Sequence, residues 1–254
     1  MRHVPTLVRR ELSAYFLGPM AFLILLAFQA IAWFNMIDLL NDLARNPHVL
    51  SGVSDPINRY LTRRPWIWIA MLVALPALTM RLLSEEKRSG TIETLLTTPI
   101  TEAEVVISKW LAGLAMYLAI LLPFALYLPF LYTQGHYRFD VGPFFSLAIG
   151  MTTIGMMFVS IGLFFSALTR NQIVAAIWTF LVMFLFLFLT TFLYSYATAA
   201  GAGWADAMLF VSVLNQVDAF GTGKLDLRVL ALHVSICVFV LFATIKAVGW
   251  RREG

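Results

Sequence analysis

The sequence places few chemically reactive side chains where its apolar stretches could cross a membrane. Gln29 and Asn35 lie in the first apolar stretch and His233 lies in the last, whereas the central parts of these stretches contain no Asp, Glu, Lys or Arg. A carrier driven by protons or sodium ions normally needs a carboxylate, a histidine relay or broken helices at the middle of the membrane. The pattern therefore argues against ion-coupled transport, and a lone His233 is more typical of a hydrogen bond between helices.

A short run, Gly221-Thr222-Gly223-Lys224, resembles the end of a phosphate-binding loop. Asp218 stands where that loop has its first glycine, and Leu225 replaces the hydroxyl that binds magnesium. The histidines are scattered, and Gly52-Val53-Ser54-Asp55-Pro56 lacks the second glycine of a nucleophile elbow. The single cysteine, Cys237, cannot form a disulfide or a cysteine metal cluster within the chain. We therefore expect no catalytic, cofactor or metal site here, and any ATP would be bound by a partner.

A charged segment from Arg81 to Lys109 interrupts the apolar sequence. Acidic and basic residues mix at its start, and Ser89-Gly90 provides a stop signal for a helix. A short amphipathic helix is predicted over Thr91–Thr98. Thr91 can cap this helix, Glu93 suits its first turn, and Pro99 ends it. Its apolar face consists of Ile92, Leu95 and Leu96. Thr101 and Glu104 then have the spacing of a capping box, which predicts the start of the next helix.

Two interpretations of the Thr91–Thr98 helix stay open from its pattern. A small apolar helix between two membrane spans suits insertion into a groove on a soluble partner. The alternative is an ordinary connector whose leucines pack on lipid or on their own bundle.

Composition assigns the chain to membrane proteins, because 60% of its residues are hydrophobic and only 13% are charged, with a mean hydropathy of +0.82. Apolar runs of about 20 residues match a hydrocarbon core of about 30 Å. They predict an all-α integral membrane fold with six spans: Pro19–Ile37, Trp66–Met80, Leu111–Tyr132, Phe144–Ala167, Ile173–Tyr194 and Val229–Val248. The loops are too short for a second soluble domain, so residues 1–254 are expected to form one domain.

The distribution of basic residues predicts the orientation of this domain. An even number of spans places both termini on one side, and the larger share of Lys and Arg falls on that side. Both termini are therefore expected in the cytoplasm, with the spans in the inner membrane. The net charge of +4 fits attraction to anionic lipid, since no basic run alternates with aromatic residues as a nucleic-acid surface would.

The N-terminal residues predict an interfacial helix ahead of the first span. One helical face is apolar, and the opposite face carries Arg2, Arg9 and Arg10. The apolar face consists of Val4, Leu7, Val8, Leu12, Tyr15 and Phe16. Such a helix is expected to lie among the lipid headgroups as an anchor.

Between the last two spans, Trp204 to Arg228 is too polar to cross the membrane but keeps a cluster of apolar side chains. It is predicted to dip into the outer interface as a short helix or helical pair. Lipid anchoring is one interpretation, and an outer gate is the other. The gate candidates are Phe210, Leu214, Asn215 and Phe220.

Two spans carry patterns that favour helix contact. In the fourth, Ser146-x-x-x-Gly150 and Gly162-x-x-x-Ser166, with Gly155 between them, allow close approach of a neighbouring backbone. The fifth contains a series of phenylalanines, which could seal a subunit interface, line an apolar pathway or face lipid. They are Phe180, Phe184, Phe186, Phe188 and Phe192.

The run from Leu75 through Trp110, with ALTMRLLSEEKRSGTIETLLTTPITEAEVVISKW at its centre, closely resembles the permease subunits of type-2 ABC transporters, especially the gliding-motility-associated group. Two further segments agree with that family. They are Leu168–Ala176 and the stretch from Leu214-Asn215 through Phe220 and Gly223 to Asp226-Leu227. The likeness covers nearly the whole chain in order and spacing.

The resemblance implies six helices per subunit, a second identical or homologous permease subunit, and a separate cytoplasmic ATPase that binds ATP and magnesium. It assigns Thr91–Thr98 as the coupling helix, with Ile92, Leu95 and Leu96 as the face that meets the ATPase. A large outer domain is absent from the sequence, so any periplasmic portion would come from a partner.

The expected function is ATP-driven export of an unknown substrate. The absence of fixed charges from the spans weakly favours an amphipathic or lipid-like molecule. One alternative is a mechanical role, in which the ATPase-driven motion acts on envelope or motility partners. A passive channel or scaffold is the third class.

Overall fold

The computed structural model describes residues 3–45, 65–90, 101–134 and 141–249, and these ranges are helical apart from short turns. We number the α-helices in chain order. They are α1 (Val4–Leu17), α2 (Pro19–Arg45), α3 (Pro65–Thr79), α4 (Arg81–Ser89), α5 (Glu102–Gln134), α6 (Gly142–Leu168), α7 (Gln172–Phe184), α8 (Thr190–Ala199), α9 (Ala205–Val211), α10 (Val213–Gly221) and α11 (Leu227–Gly249). A π-helical segment, Leu185–Leu189, joins α7 to α8.

Six helical stretches in these ranges are long and apolar enough to cross a membrane. They are Pro19–Asn41, Trp66–Ser89, Glu102–Tyr127, Gly142–Leu168, Gln172–Ala199 and Leu227–Gly249. The predicted number and order of spans are confirmed, and the chain is an integral membrane protein. The second and third spans extend further than predicted on the side that faces residues 91–100, because helices continue past the apolar part of their sequence.

Helix α6 is the centre of the bundle and contacts α3, α4, α5, α7, α10 and α11. Its glycines make this possible. A Cβ added to Gly150, Gly155 or Gly162 would lie 2.1 Å from an atom of a neighbouring side chain. Those neighbours are Phe220, Tyr117 and Thr79, respectively. The prediction that small residues in this span serve helix packing is confirmed.

Helix α1 packs on α5 and α2. Leu7 is buried, whereas Arg9 and Arg10 are exposed. Tyr15 donates a hydrogen bond from its hydroxyl to the backbone carbonyl of Leu78 at 3.0 Å. Burial raises the pKa of the Tyr15 phenol above its ordinary value, so this group stays a hydrogen-bond donor at neutral pH.

The π-helical segment changes the geometry of the fifth span. The backbone N–H of Thr190 donates to the carbonyl of Leu185, which is five residues earlier rather than four. The hydroxyl of Thr191 donates to the carbonyl of Leu187 at 2.8 Å. The hydroxyl thus supplies an additional donor to a carbonyl within the altered turn, as suits a π-helical segment inside an apolar span.

The predicted helical pair between the last two spans is present as α9 and α10. A break at Ser212 separates them, and α10 packs on α6. In α10 the buried residues Val213, Val217 and Phe220 recur every three to four positions. This spacing places them on one helical face, which explains how so short a helix is held against the bundle.

Candidate functional site

The residues predicted to couple the chain to an ATPase, Thr91, Ile92, Glu93, Leu95, Leu96 and Pro99, lie outside the described residues. The helix ends on either side of them are described. Helix α4 ends at Ser89, and α5 begins at Glu102. We call these two helix ends, which flank residues 91–100 in the sequence, the base.

Local backbone signals set both helix ends. Gly90 follows α4 with φ +74°, a left-handed conformation that glycine adopts without a steric penalty. At the start of α5, the Thr101 N–H donates to Glu104 Oε2 at 3.2 Å, and the Glu104 N–H donates to Thr101 Oγ1 at 3.3 Å. The predicted capping box is therefore confirmed.

An ion cluster joins α1, α4 and α5 beside these ends. Lys109 Nζ lies 2.8 Å from Glu86 Oε1 and 3.1 Å from Glu11 Oε2. Arg10 adds ion pairs to both carboxylates, at 3.1 Å to Glu11 and 3.8 Å to Glu86. The Lys109 side chain is only 3% exposed, so the charge depends on its partners rather than on water. The cluster therefore links α4 and α5, the helices that form the base, to α1.

The first turn of α4 is capped by a side chain from α6. Ser166 Oγ accepts hydrogen bonds from the backbone nitrogens of Leu83 and Ser84, both at 3.0 Å, and donates to the carbonyl of Met80 at 3.0 Å. The residue that precedes α4, Met80, provides no side-chain cap of its own. A movement of α4 therefore acts directly on α6.

The outer-gate candidates occupy different environments. Phe220 is 1% exposed, and its ring occupies the space where a side chain at Gly150 would lie. Phe220 is therefore a packing contact between α10 and α6. Asn215 donates from Nδ2 to Ser212 Oγ at 2.9 Å, and Ser212 Oγ lies 2.8 Å from Thr191 Oγ1 of α8. Phe210 and Leu214 are partly buried and pack against the core.

A buried hydrogen-bond chain fixes the α9–α10 pair to two spans. Gln216 donates from Nε2 to the carbonyl of Phe210 at 2.6 Å, which orients its Oε1 towards His233 Nε2 at 3.0 Å. His233 Nδ1 lies 3.1 Å from Thr153 Oγ1 of α6. With Nε2 as the donor to Gln216, Nδ1 is an acceptor, and the single proton of the Thr153 hydroxyl is shared between Nδ1 and the Gly150 carbonyl at 2.9 Å. His233 thus bonds between helices, as its isolation in the sequence predicted.

Sequence reasoning missed Gln216 as the partner of His233, although a signal was present. Gln216 is 4% exposed and lies among the buried residues of α10, beside Val213 and Val217. A polar residue within an apolar helical face needs a hydrogen-bond partner. The other polar residues singled out within spans also have one. Gln29 donates to the Tyr127 hydroxyl at 2.6 Å, and Asn35 donates to the Ile31 carbonyl at 2.9 Å.

These features define a polytopic membrane protein in which the central helix α6 contacts both an ion-paired base and a helical pair near the other end of the bundle. The chain belongs to the ABC-2 transporter family. The family model described as ABC-2 family transporter protein matches residues 13–228, from within α1 to the start of α11. No protein of curated function matches the sequence. The resemblance to type-2 ABC permeases is confirmed at the level of this family.

Proposed function

We propose that this chain is the membrane permease subunit of an ATP-driven exporter and that a separate cytoplasmic ATPase drives it through residues 91–98. Membership of the ABC-2 transporter family supports the general role. The ion cluster around Lys109 carries the specific proposal. It binds α4 and α5, the helices on either side of residues 91–98, to each other and to α1.

A push on residues 91–98 would reach α6 through the first turn of α4. Ser166 hydrogen-bonds to that turn near the end of α6. Gly150 lies sixteen residues earlier in α6 and contacts Phe220 of α10. At a rise of about 1.5 Å per residue, these two contacts are about 24 Å apart along the axis. Helix α6 thereby transmits the movement of the cytoplasmic base to the outer helical pair, where Thr153 and His233 couple it to α11.

The proposed assembly contains partners beyond this chain. ATP and magnesium are bound by the ATPase, and a second permease subunit, identical or homologous, completes the membrane part. Both termini and residues 91–98 face the cytoplasm, as the distribution of basic residues indicates. The absence of fixed charges from the centres of the spans favours an amphipathic or lipid-like substrate, and the gliding-motility-associated group is the proposed subgroup. Any large periplasmic portion comes from an outer partner.

The coupling role is tested by replacing Leu95 and Leu96 together with Asp. If these side chains fill a groove on the ATPase, unpaired charge in that groove weakens association by several kcal/mol, so co-purification of the ATPase is lost. A matched variant replaces Thr97 and Thr98 with Asp, which adds the same charge to the same segment outside the proposed apolar face. Full recovery of the ATPase with the leucine variant, at wild-type membrane insertion, would remove the coupling proposal.

The exporter role is tested by reconstituting the permease with and without its ATPase. A control ATPase lacks its catalytic glutamate. ATP-dependent movement of an amphipathic probe is expected only with the intact pair. ATP hydrolysis without any substrate dependence would indicate a mechanical role instead, and flux driven by an ion gradient through the permease alone would contradict the proposal.

A further inference from the structure

A groove of about 780 Å³ runs along α1 on the side away from the ion cluster. Its walls are mainly apolar side chains of α1, and Leu111 of α5 contributes to the opposite side. The α1 side chains that line most of its length are Val4, Val8, Leu12 and Phe16. Leu111 belongs to a helix that is long and apolar enough to cross the membrane, so the apolar walls of this groove suit the acyl chain of a lipid.

The groove also has a cationic side chain. Arg9 lines it and is exposed, and no carboxylate among the described residues forms an ion pair with it. This distinguishes Arg9 from its neighbour Arg10, which pairs with Glu11 and Glu86. The Ser13 hydroxyl, one turn further along, also lies in the groove and donates to the backbone carbonyl of Arg9 at 2.9 Å. A guanidinium at the rim of an apolar groove matches a phosphate headgroup attached to an acyl chain.

We propose that this groove is a binding site for one anionic phospholipid. The phosphate binds Arg9, with Ser13 beside it, and an acyl chain lies along Val8, Leu12 and Phe16. Charge complementarity identifies the occupant. An apolar protein segment would fill the groove but leave the guanidinium unpaired, whereas a free phosphate would pair with the guanidinium but leave the apolar walls without an occupant.

The lipid would act next to the base of residues 91–100. Helix α1 presents Arg9 to the groove and Glu11 to Lys109, so the same short helix contacts the lipid and the ion cluster. An occupied groove therefore favours the docked position of α1 on α5. The site does not depend on which molecule the protein transports.

The experiment titrates the purified full-length chain in detergent with phosphatidylglycerol or phosphatidylcholine and counts bound lipids by native mass spectrometry. The wild-type chain is expected to bind one phosphatidylglycerol more tightly than phosphatidylcholine. Arg9→Gln should weaken that binding by about tenfold, as expected for the loss of one charge-assisted contact. Val8→Trp, which fills the groove and keeps the charge, should weaken both lipids.

Arg170→Gln is the matched control, because Arg170 is also exposed but lies in the turn between α6 and α7 and does not line the groove. Its lipid binding should equal that of the wild type. Equal loss in both arginine variants would show diffuse electrostatic attraction and overturn the site, as would unchanged phosphatidylglycerol binding in Arg9→Gln. Displacement of the lipid by glycerol 3-phosphate at the same concentration would show a phosphate site without an acyl-chain groove.

Discussion

The hydroxyl oxygen of Ser166 lies 3.0 Å from the backbone nitrogen of Leu83, although the two residues are far apart in the sequence and belong to different helices. An N-cap is normally supplied by the residue that precedes the helix. Here a side chain of α6 provides it for α4, so the stability of the first turn of α4 depends on where α6 stands.

Replacing Ser166 with Ala should destabilise the protein by about 1–3 kcal/mol, because two buried backbone N–H groups lose their acceptor. Thermal unfolding in detergent measures the effect. Ser108→Ala is the control, since the buried Ser108 hydroxyl bonds to the Val105 carbonyl within its own helix. Equal unfolding temperatures for the two variants would show that Ser166 does not cap α4.

Replacing Lys109 with Met should destabilise the docking of α1 and α4 on α5 by about 3–5 kcal/mol, because Glu11 and Glu86 lose their buried counter-charge. Adding Glu86→Gln to this variant should recover part of the loss. Lys224→Met, at an exposed position, is the control and should unfold like the wild type. Limited proteolysis near α1, together with thermal unfolding, provides the measurement. A variant as stable as the wild type would contradict a structural role of the cluster.

Replacing Gly150 with Ala should destabilise the protein by about 1–3 kcal/mol, because the new Cβ would lie 2.1 Å from the Phe220 ring. Phe220→Leu in the same chain should relieve part of this clash, which identifies α10 as the affected element. Gly203→Ala, with no atom within 4 Å of the new Cβ, is the control. If Phe220→Leu recovers no stability in the Gly150→Ala chain, the loss does not come from a clash with Phe220.

The orientation of the chain predicts opposite labelling of two introduced cysteines in a Cys237→Ala background. Ser51 lies outside the described residues and is expected on the outer side, whereas Ser89, the last residue of α4, is expected on the cytoplasmic side. A membrane-impermeant maleimide should label a cysteine at 51 in intact cells and a cysteine at 89 only after permeabilisation. The reverse pattern would invert the topology and place residues 91–98 on the side that lacks ATP.

The elements that were predicted correctly are those whose signals are local. Long apolar runs revealed the spans, the Thr101–Glu104 spacing revealed a capping box, and the small residues of α6 revealed close helix contacts. Each signal lies within one helix or at its end, where a period or a fixed offset reports the geometry directly.

The contacts that join distant segments could not be predicted in the same way. The sequence shows Glu11, Glu86 and Lys109 as charges near span ends, but many pairings among such residues are compatible with one composition. The choice depends on how α1 docks on α5. Likewise, Ser166 was recognised as a small residue for packing, while its role as a cap for α4 required the position of the break at Met80.

The π-helical segment Leu185–Leu189 also determines which way the end of the fifth span faces. One additional residue in a helical turn rotates every later side chain by about 100° around the axis. Before the segment, Phe180 and Phe184 stack on each other along one exposed stripe. The row continues into the segment, where the Phe188 ring centroid lies 5.1 Å from that of Phe184, and beyond the segment Thr191 contacts Ser212. A single-residue deletion within the segment would rotate Thr191 away from Ser212 and separate the end of the fifth span from α9 and α10.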